Sequence, residues 1–246
     1  MPLALLSLLI LVVAVLVARA ISRERREYGR FKRLRSTAAR KKVYARWLRD
    51  SFFTFGGMSA IILLASWDFV TPALVDAQSW GPLQWALGAL GNDVGRIVLV
   101  VVAVLLLALV LVPIFLLRGD SAEIPTIGDV GALLPRTRGE LGYGFALGSN
   151  AGLVEELMFR LALPALIFGV TGDGLFSFVA ATVLFGLLHL YQGVSGVISS
   201  MVLGLVFCAI YLLSGSIVLV IVLHALFDLR SLVLIPVVVM QVHKKA

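Results

Sequence analysis

Seven ionisable side chains interrupt the apolar stretches in the second half of this sequence. They are Glu155, Glu156, Arg160, His189, His224, Asp228 and Arg230. A charged group near the centre of a membrane-spanning helix costs roughly 2.5 to 3.5 kcal/mol, so seven unpaired groups would exceed the net stability of most proteins. We therefore expect them to meet in the interior of a helical bundle. Such residues are candidates for a functional site; a buried ion-pair staple is the structural alternative.

The segment Glu-Glu-Leu-Met-Phe-Arg at 155–160 carries the first polar group. Glu156 and Arg160 stand four residues apart, on one face of a helix and within ion-pair reach. Glu155 lies about 100° around the helix from Glu156, without that partner. A buried carboxylate that lacks a cation is suited to act as a general base near neutral pH. Glu155 is therefore predicted to be the base and Glu156 with Arg160 its structural support; the reverse assignment of the glutamates is the alternative.

Two histidines follow on later apolar stretches. Phe185 and His189 stand four residues apart, as do His224 and Asp228, so Asp228 can fix the tautomer of His224 or share a water or metal with it. Glutamate and imidazole together can perform hydrolysis: the glutamate takes a proton from water, and imidazoles stabilise the oxyanion, with or without a cation. Two histidines and a carboxylate also match a zinc-type ligand set, although no helix carries the H-E-x-x-H spacing.

The composition indicates a membrane protein. Of the 246 residues, 60% are hydrophobic and 14% are charged, and the mean hydropathy is +1.03. Soluble domains are about half apolar and about a quarter charged, so both a water-soluble domain and a disordered chain are excluded. Cys208 is the single cysteine, which excludes a disulfide within the chain and a cysteine-rich metal site.

The apolar stretches predict an all-α polytopic membrane protein with about seven transmembrane helices. The predicted spans are 3–21, 52–75, 94–117, 141–169, 175–191, 194–213 and 216–240. Residues 1–246 form a single membrane domain in this interpretation, and the seven ionisable residues all fall in the last four spans. Gly144, Gly148 and Gly152 recur every four residues, which predicts close approach of a neighbouring helix to that face.

Basic residues are concentrated in one segment. Thirteen of the 21 lysines and arginines lie between Arg19 and Arg49. The positive-inside rule makes 19–50 a cytoplasmic loop, places the N-terminus outside and, after seven crossings, places the C-terminus in the cytoplasm. The segment is interpreted as a topology determinant, with contact to anionic lipid headgroups as the alternative. No nucleic-acid partner is expected, because no recognition motif accompanies the charge.

Three motifs in this order resemble those of the CPBP family. They are E-E-x-x-x-R at 155–160, F-x-x-x-H at 185–189 and H-x-x-x-D at 224–228. The family comprises the intramembrane CAAX-processing and bacteriocin-processing proteases, also called Abi proteins, which are relatives of the Rce1 prenyl endopeptidase. The resemblance covers about 140–232 and makes 140–240 the catalytic helical core. It implies a polar cavity that is built from the last four spans and opens to the cytoplasm. It also implies hydrolysis of the C-terminal or leader segment of a substrate, prenylated or not.

The resemblance also implies roles for single residues. Glu155 would activate the water, His189 would assist it, and His224 with Asp228 would stabilise the oxyanion, while Glu156, Arg160 and Phe185 would support the site. The resemblance leaves open whether Glu155, His189 and His224 hold a divalent cation such as zinc. The prenyl endopeptidases carry Asn where this chain has Asp228. An ionised aspartate repels an oxyanion, so Asp228 must be protonated, act through His224 or bind a cation.

Two other functions fit the same polar residues. A non-catalytic membrane scaffold or immunity-type protein would use them to bind a partner, and an ion or proton pathway would use them as a relay. A lipid bilayer and a peptide or protein substrate are the partners expected of the protease. Short loops and compact size favour a bacterial cytoplasmic membrane.

Overall fold

The fold is known from a computed structural model that describes residues 2–95, 97, 101, 108, 112 and 129–244. Within these residues the secondary structure is helical and contains no strand, which confirms the predicted all-α class. The predicted third span, 94–117, lies largely outside the described residues.

Twelve α-helices are named here in chain order. The first six are α1 (Pro2–Ala18), α2 (Arg25–Phe31), α3 (Thr37–Ser51), α4 (Gly57–Ser66), α5 (Val70–Gln78) and α6 (Gly81–Leu90). The others are α7 (Arg138–Glu156), α8 (Leu163–Thr171), α9 (Gly174–Leu188), α10 (Gly193–Ser214), α11 (Ile217–Leu229) and α12 (Ile235–Val238). Wider π-helical turns continue several of these helices, at Arg19–Glu24, Phe52–Gly56, Leu157–Ala162 and Arg230–Leu234.

Four helical segments of the described residues are long and apolar enough to cross a membrane. They are Leu3–Phe31, Thr37–Gln78, Gly174–Ser214 and Ile217–Val238. The predicted fourth span lies in α7 and α8 and is not among them; it contains three charged residues at 155–160. The apolar helices indicate an integral membrane protein, whereas the number of seven crossings and the orientation of the termini stay predictions.

The segment Gly174–Ser214 is a helical hairpin. Its arms α9 and α10 run antiparallel and pack closely at their glycines. A Cβ added at Gly186 would lie 2.8 Å from the Cβ of Met201, and one added at Gly204 would lie 2.9 Å from the ring of Phe185. The chain reverses at Gly193, whose φ of +84° is accessible to glycine without strain. These arms correspond to the predicted spans 175–191 and 194–213.

The basic segment 19–50 is not an extended loop. It contains a π-helical turn and then α2 and α3, which are joined by a short connection. Arg40 within it is completely buried, and its Nε lies 3.1 Å from both carboxylate oxygens of Glu140. One of the thirteen basic residues is therefore an internal structural group, because a guanidinium that is paired inside the protein cannot contact lipid headgroups.

Arg40 links α3 to the chain that enters α7. The Nη2 atom of Arg40 donates to the hydroxyl of Tyr44 (2.6 Å) and to the carbonyl of Leu134 (3.0 Å). The guanidinium also lies over the ring of Phe31, 4.5 Å from its centroid. These contacts hold the start of α7, and with it Glu140, against α3.

The largest buried apolar cluster lies beside the candidate site. It joins α1, α4, α8, α9 and the π-helical turn Leu157–Ala162, and it includes Leu16, Ile62, Phe159, Leu166 and Phe185. A second cluster joins α5, α9, α10 and α11. The polar residues of the motifs lie where these two groups of helices meet.

The glycine stripe of α7 packs against α11 and the turn that follows it. A Cβ added at Gly148 would lie 3.1 Å from the Cβ of Asp228, and one added at Gly152 would lie 2.7 Å from the backbone nitrogen of Ala225. These contacts confirm the predicted close approach. The absence of side chains lets α11 come near enough for His224 to reach the glutamates of α7.

Replacing Gly152 by alanine is expected to destabilise the protein by about 1–3 kcal/mol, because the added methyl group overlaps the backbone of Ala225. Gly142 is the matched control, since it lies in the same helix and a Cβ added there meets no atom within 4 Å. Gly142→Ala should leave stability unchanged or raise it by about 0.5–1 kcal/mol through helix propensity. Unfolding in detergent micelles measures both, and equal stability of the two variants would contradict the packing.

Candidate active site

Glu155 and Glu156 approach opposite nitrogens of one imidazole. The ring Nδ1 of His224 lies 2.6 Å from Oε1 of Glu156 and forms a buried hydrogen bond with it. The Nε2 of the same ring lies 4.0 Å from Oε2 of Glu155 and 3.9 Å from Oδ2 of Asp228. Because the carboxylate of Glu156 accepts, Nδ1 is the donor, and Nε2 faces the two other carboxylates. The structure thus brings all four of these predicted residues together.

Arg160 forms the predicted ion pair with Glu156. Its Nε lies 3.1 Å from Oε2 of that residue, and both side chains are fully buried. A guanidinium nitrogen donates to the carbonyl of Gly204 at 3.1 Å, and the group lies over the ring of Phe185, 4.9 Å from its centroid. Arg160 belongs to the π-helical turn Leu157–Ala162, a kind of helical irregularity that is frequent at functional sites.

The carboxylates differ in exposure. The side chain of Glu155 is 19% exposed and that of Asp228 is 28% exposed, whereas those of Glu156 and His224 are 0% and 4% exposed. Glu156 is thus enclosed by protein on all sides. Glu155 and Asp228 therefore lie on the partly exposed side of the cluster, which the Nε2 atom of His224 faces.

Asp228 does not fix the tautomer of His224, contrary to one of its two predicted roles. Glu156 fills this role because it bonds to Nδ1, while Asp228 approaches Nε2 without a hydrogen bond. The spacing of four residues does place Asp228 beside the ring. The ring of Phe207 in α10, which the sequence patterns did not single out, stacks on His224 at 4.9 Å between centroids.

His189 packs against the ring of Phe185. The ring of Phe185 is 4.8 Å from His189 and 6.2 Å from His224, measured between centroids. The Nδ1–H of His189 donates to the carbonyl of Phe185 at 2.8 Å. Within the described residues no hydrogen bond or ion pair joins His189 to Glu155 or His224. Phe185 therefore supports both imidazoles, and His189 contributes its Nε2 edge from a separate helix.

The ligand set predicted for a divalent cation is not assembled. Among residues 2–95 and 129–244, no three histidine, cysteine, aspartate or glutamate side chains form a group that could hold a metal ion. The rings of both histidines contact Phe185, and Nδ1 of His224 donates to Glu156. A divalent cation at Glu155, His189 and His224 therefore stays an expectation from the resemblance.

Comparison with protein families identifies the segment that contains this cluster. Residues 137–230 match the family model "Type II CAAX prenyl endopeptidase Rce1-like". The match confirms the resemblance that the three motifs indicated, and it covers α7 to α11, including every residue of the cluster. The Rce1-like family indicates an intramembrane protease of the CAAX type. Comparisons with curated proteins and with solved structures gave no match.

Proposed function

We propose that the protein is an intramembrane endopeptidase that hydrolyses a peptide bond with a water activated by Glu155. The observation that carries this proposal is the spacing around Nε2 of His224, which lies 4.0 Å from Glu155 and 3.9 Å from Asp228. Two hydrogen bonds of about 2.8 Å that meet at a water oxygen span about 4 to 4.6 Å. One water therefore fits between the imidazole and Glu155, on the exposed side of the cluster.

In the proposed reaction Glu155 accepts a proton as the water oxygen attacks the scissile carbonyl carbon. The same carboxyl group then gives that proton to the leaving amine. His224 stabilises the oxyanion through a hydrogen on Nε2; because Nδ1–H already donates to Glu156, the ring in this role carries both protons. Asp228, 3.9 Å from Nε2, acts through His224 by balancing the imidazolium charge.

The remaining residues of the site support these steps. Glu156 and Arg160 are completely buried and fix the position of His224, which favours Glu155 over Glu156 as the base. His189, whose Nδ1–H is held by Phe185, presents Nε2 as an acceptor that can orient the water or the substrate. The proposed steps use only side chains of this protein, and a divalent cation stays a prediction of the resemblance.

The substrate we propose is the C-terminal segment of a membrane-associated protein, as the Rce1-like match suggests. Protein reconstituted in liposomes is expected to cleave one bond of a peptide that ends in a CAAX sequence, detected by mass spectrometry of the products. A farnesylated peptide and its unmodified counterpart, compared at equal concentration, test the need for prenylation. If folded protein cleaves neither these peptides nor leader peptides, the proposed function is wrong.

A further inference from the structure

The short helical turn that begins at His189 is held by a part of the chain outside the family match. This turn, His189–Gln192, is a 3₁₀-helix that follows α9 directly. It lies beside α2 and the π-helical turn Arg19–Glu24, both of which precede the matched residues 137–230. Whatever holds this turn also determines where the imidazole of His189 points.

Aromatic rings connect His189 to α2. The ring of Tyr191 stacks on His189, with centroids 6.1 Å apart and planes 29° apart. The rings of Tyr191 and Tyr28 of α2 form a T-shaped contact at 5.4 Å between centroids, and Tyr28 is only 3% exposed. The side-chain amide of Gln192 donates to the hydroxyl of Tyr191 at 2.8 Å, which further orients that ring.

Asp129 joins the same two elements through its backbone and side chain. The hydroxyl of Tyr28 donates to the carbonyl of Asp129, and the ammonium group of Lys32 pairs with its carboxylate. The backbone N–H of Asp129 donates to the carbonyl of Gln192 at 2.9 Å. The last residue of the turn is therefore tied, through Asp129, to the helix that carries Tyr28.

We infer that Tyr28 and Tyr191 are positioning residues that orient the imidazole of His189 for catalysis. The hydrogen bond to Phe185 restrains one ring nitrogen of His189, but it leaves the ring free to tilt about that contact. Stacking by Tyr191 restricts this tilt of the His189 ring, and Tyr28 packs against Tyr191 and holds it in place. This inference rests on the proposed function, and it assigns a positioning task to α2, in the basic segment.

Histidine NMR tests the positioning without a substrate. The chain has three histidines, so protein labelled with ¹³C and ¹⁵N in histidine gives three sets of ring signals, which single His→Gln variants assign. Tyr191→Leu and Tyr28→Leu are expected to broaden or split the signals of His189. Tyr191→Phe keeps the ring and should preserve them. Tyr211→Leu is the matched control, because Tyr211 has the same 3% exposure as Tyr28 but packs on Phe178.

Kinetics provide the second measurement. Tyr191→Leu and Tyr28→Leu should lower kcat roughly ten- to a hundredfold with KM unchanged, since misplacement of a catalytic group acts on the reacting complex. If Tyr191→Leu does not fold, Tyr28→Leu carries the same prediction. Unchanged His189 signals in the folded leucine variant would overturn the inference. If those signals change but the wild-type protein cleaves no peptide, the tyrosines do orient His189. The proposed function, and with it the catalytic purpose of this orientation, would then be wrong.

Discussion

Replacement of Glu155 by glutamine is expected to lower kcat for peptide hydrolysis by about a thousandfold, within the range attributed to general acid–base catalysis. Glutamine has the same shape as glutamate but cannot accept a proton from water. We expect the substitution to lower activity without lowering stability, because Glu155 is 19% exposed and its carboxylate comes no closer than 4.0 Å to Nε2 of His224. Single-turnover cleavage in liposomes measures the loss, and detergent unfolding should show unchanged stability.

The same substitution separates the protease from the alternatives raised by the sequence. A non-catalytic scaffold predicts that Glu155→Gln preserves the biological phenotype, whereas disruption of packing at Gly148 or Gly152 abolishes it. An ion or proton pathway predicts altered flux in proteoliposomes without peptide cleavage. Undiminished cleavage by folded Glu155→Gln would refute the base role, and Glu156→Gln would then be the variant to examine.

Replacement of Arg160 by methionine is expected to destabilise the fold by about 3–5 kcal/mol, the usual cost of leaving one member of a buried ion pair without its partner. The carboxylate of Glu156 is fully buried, and Arg160 lies 3.1 Å from it. Methionine keeps much of the apolar contact with Phe185 but supplies no charge. Chemical unfolding in micelles, monitored by circular dichroism, measures the change.

The double variant Glu156→Gln with Arg160→Met provides the control. It removes both charges, so no unpaired ion remains in the interior, and it should recover most of the stability lost by the single variant. Its hydrolytic activity should stay low, because His224 no longer bonds to a carboxylate through Nδ1. Equal destabilisation by the single and double variants would show that packing, rather than charge, explains the effect.

The sequence alone determined the features that depend on local periodicity and composition. The apolar content implied a membrane environment, and the spacing of Glu156 and Arg160 placed them on one helical face, where the structure finds them 3.1 Å apart. Gly144, Gly148 and Gly152 identified the face of α7 that meets another helix. These relations hold because a helix repeats at about 3.6 residues per turn whatever surrounds it.

The tertiary structure alone decided which groups from different helices meet. Glu156 bonds to His224 across 68 positions of sequence, and this contact depends on the rotation and close packing of α7 against α11. Arg40 pairs with Glu140 inside the protein, although the charge pattern placed it in a basic cytoplasmic loop. Tyr28 reaches the turn of His189 through Tyr191. Helix periodicity gives the face of a residue but not the neighbour that faces it, so these contacts had to be seen in three dimensions.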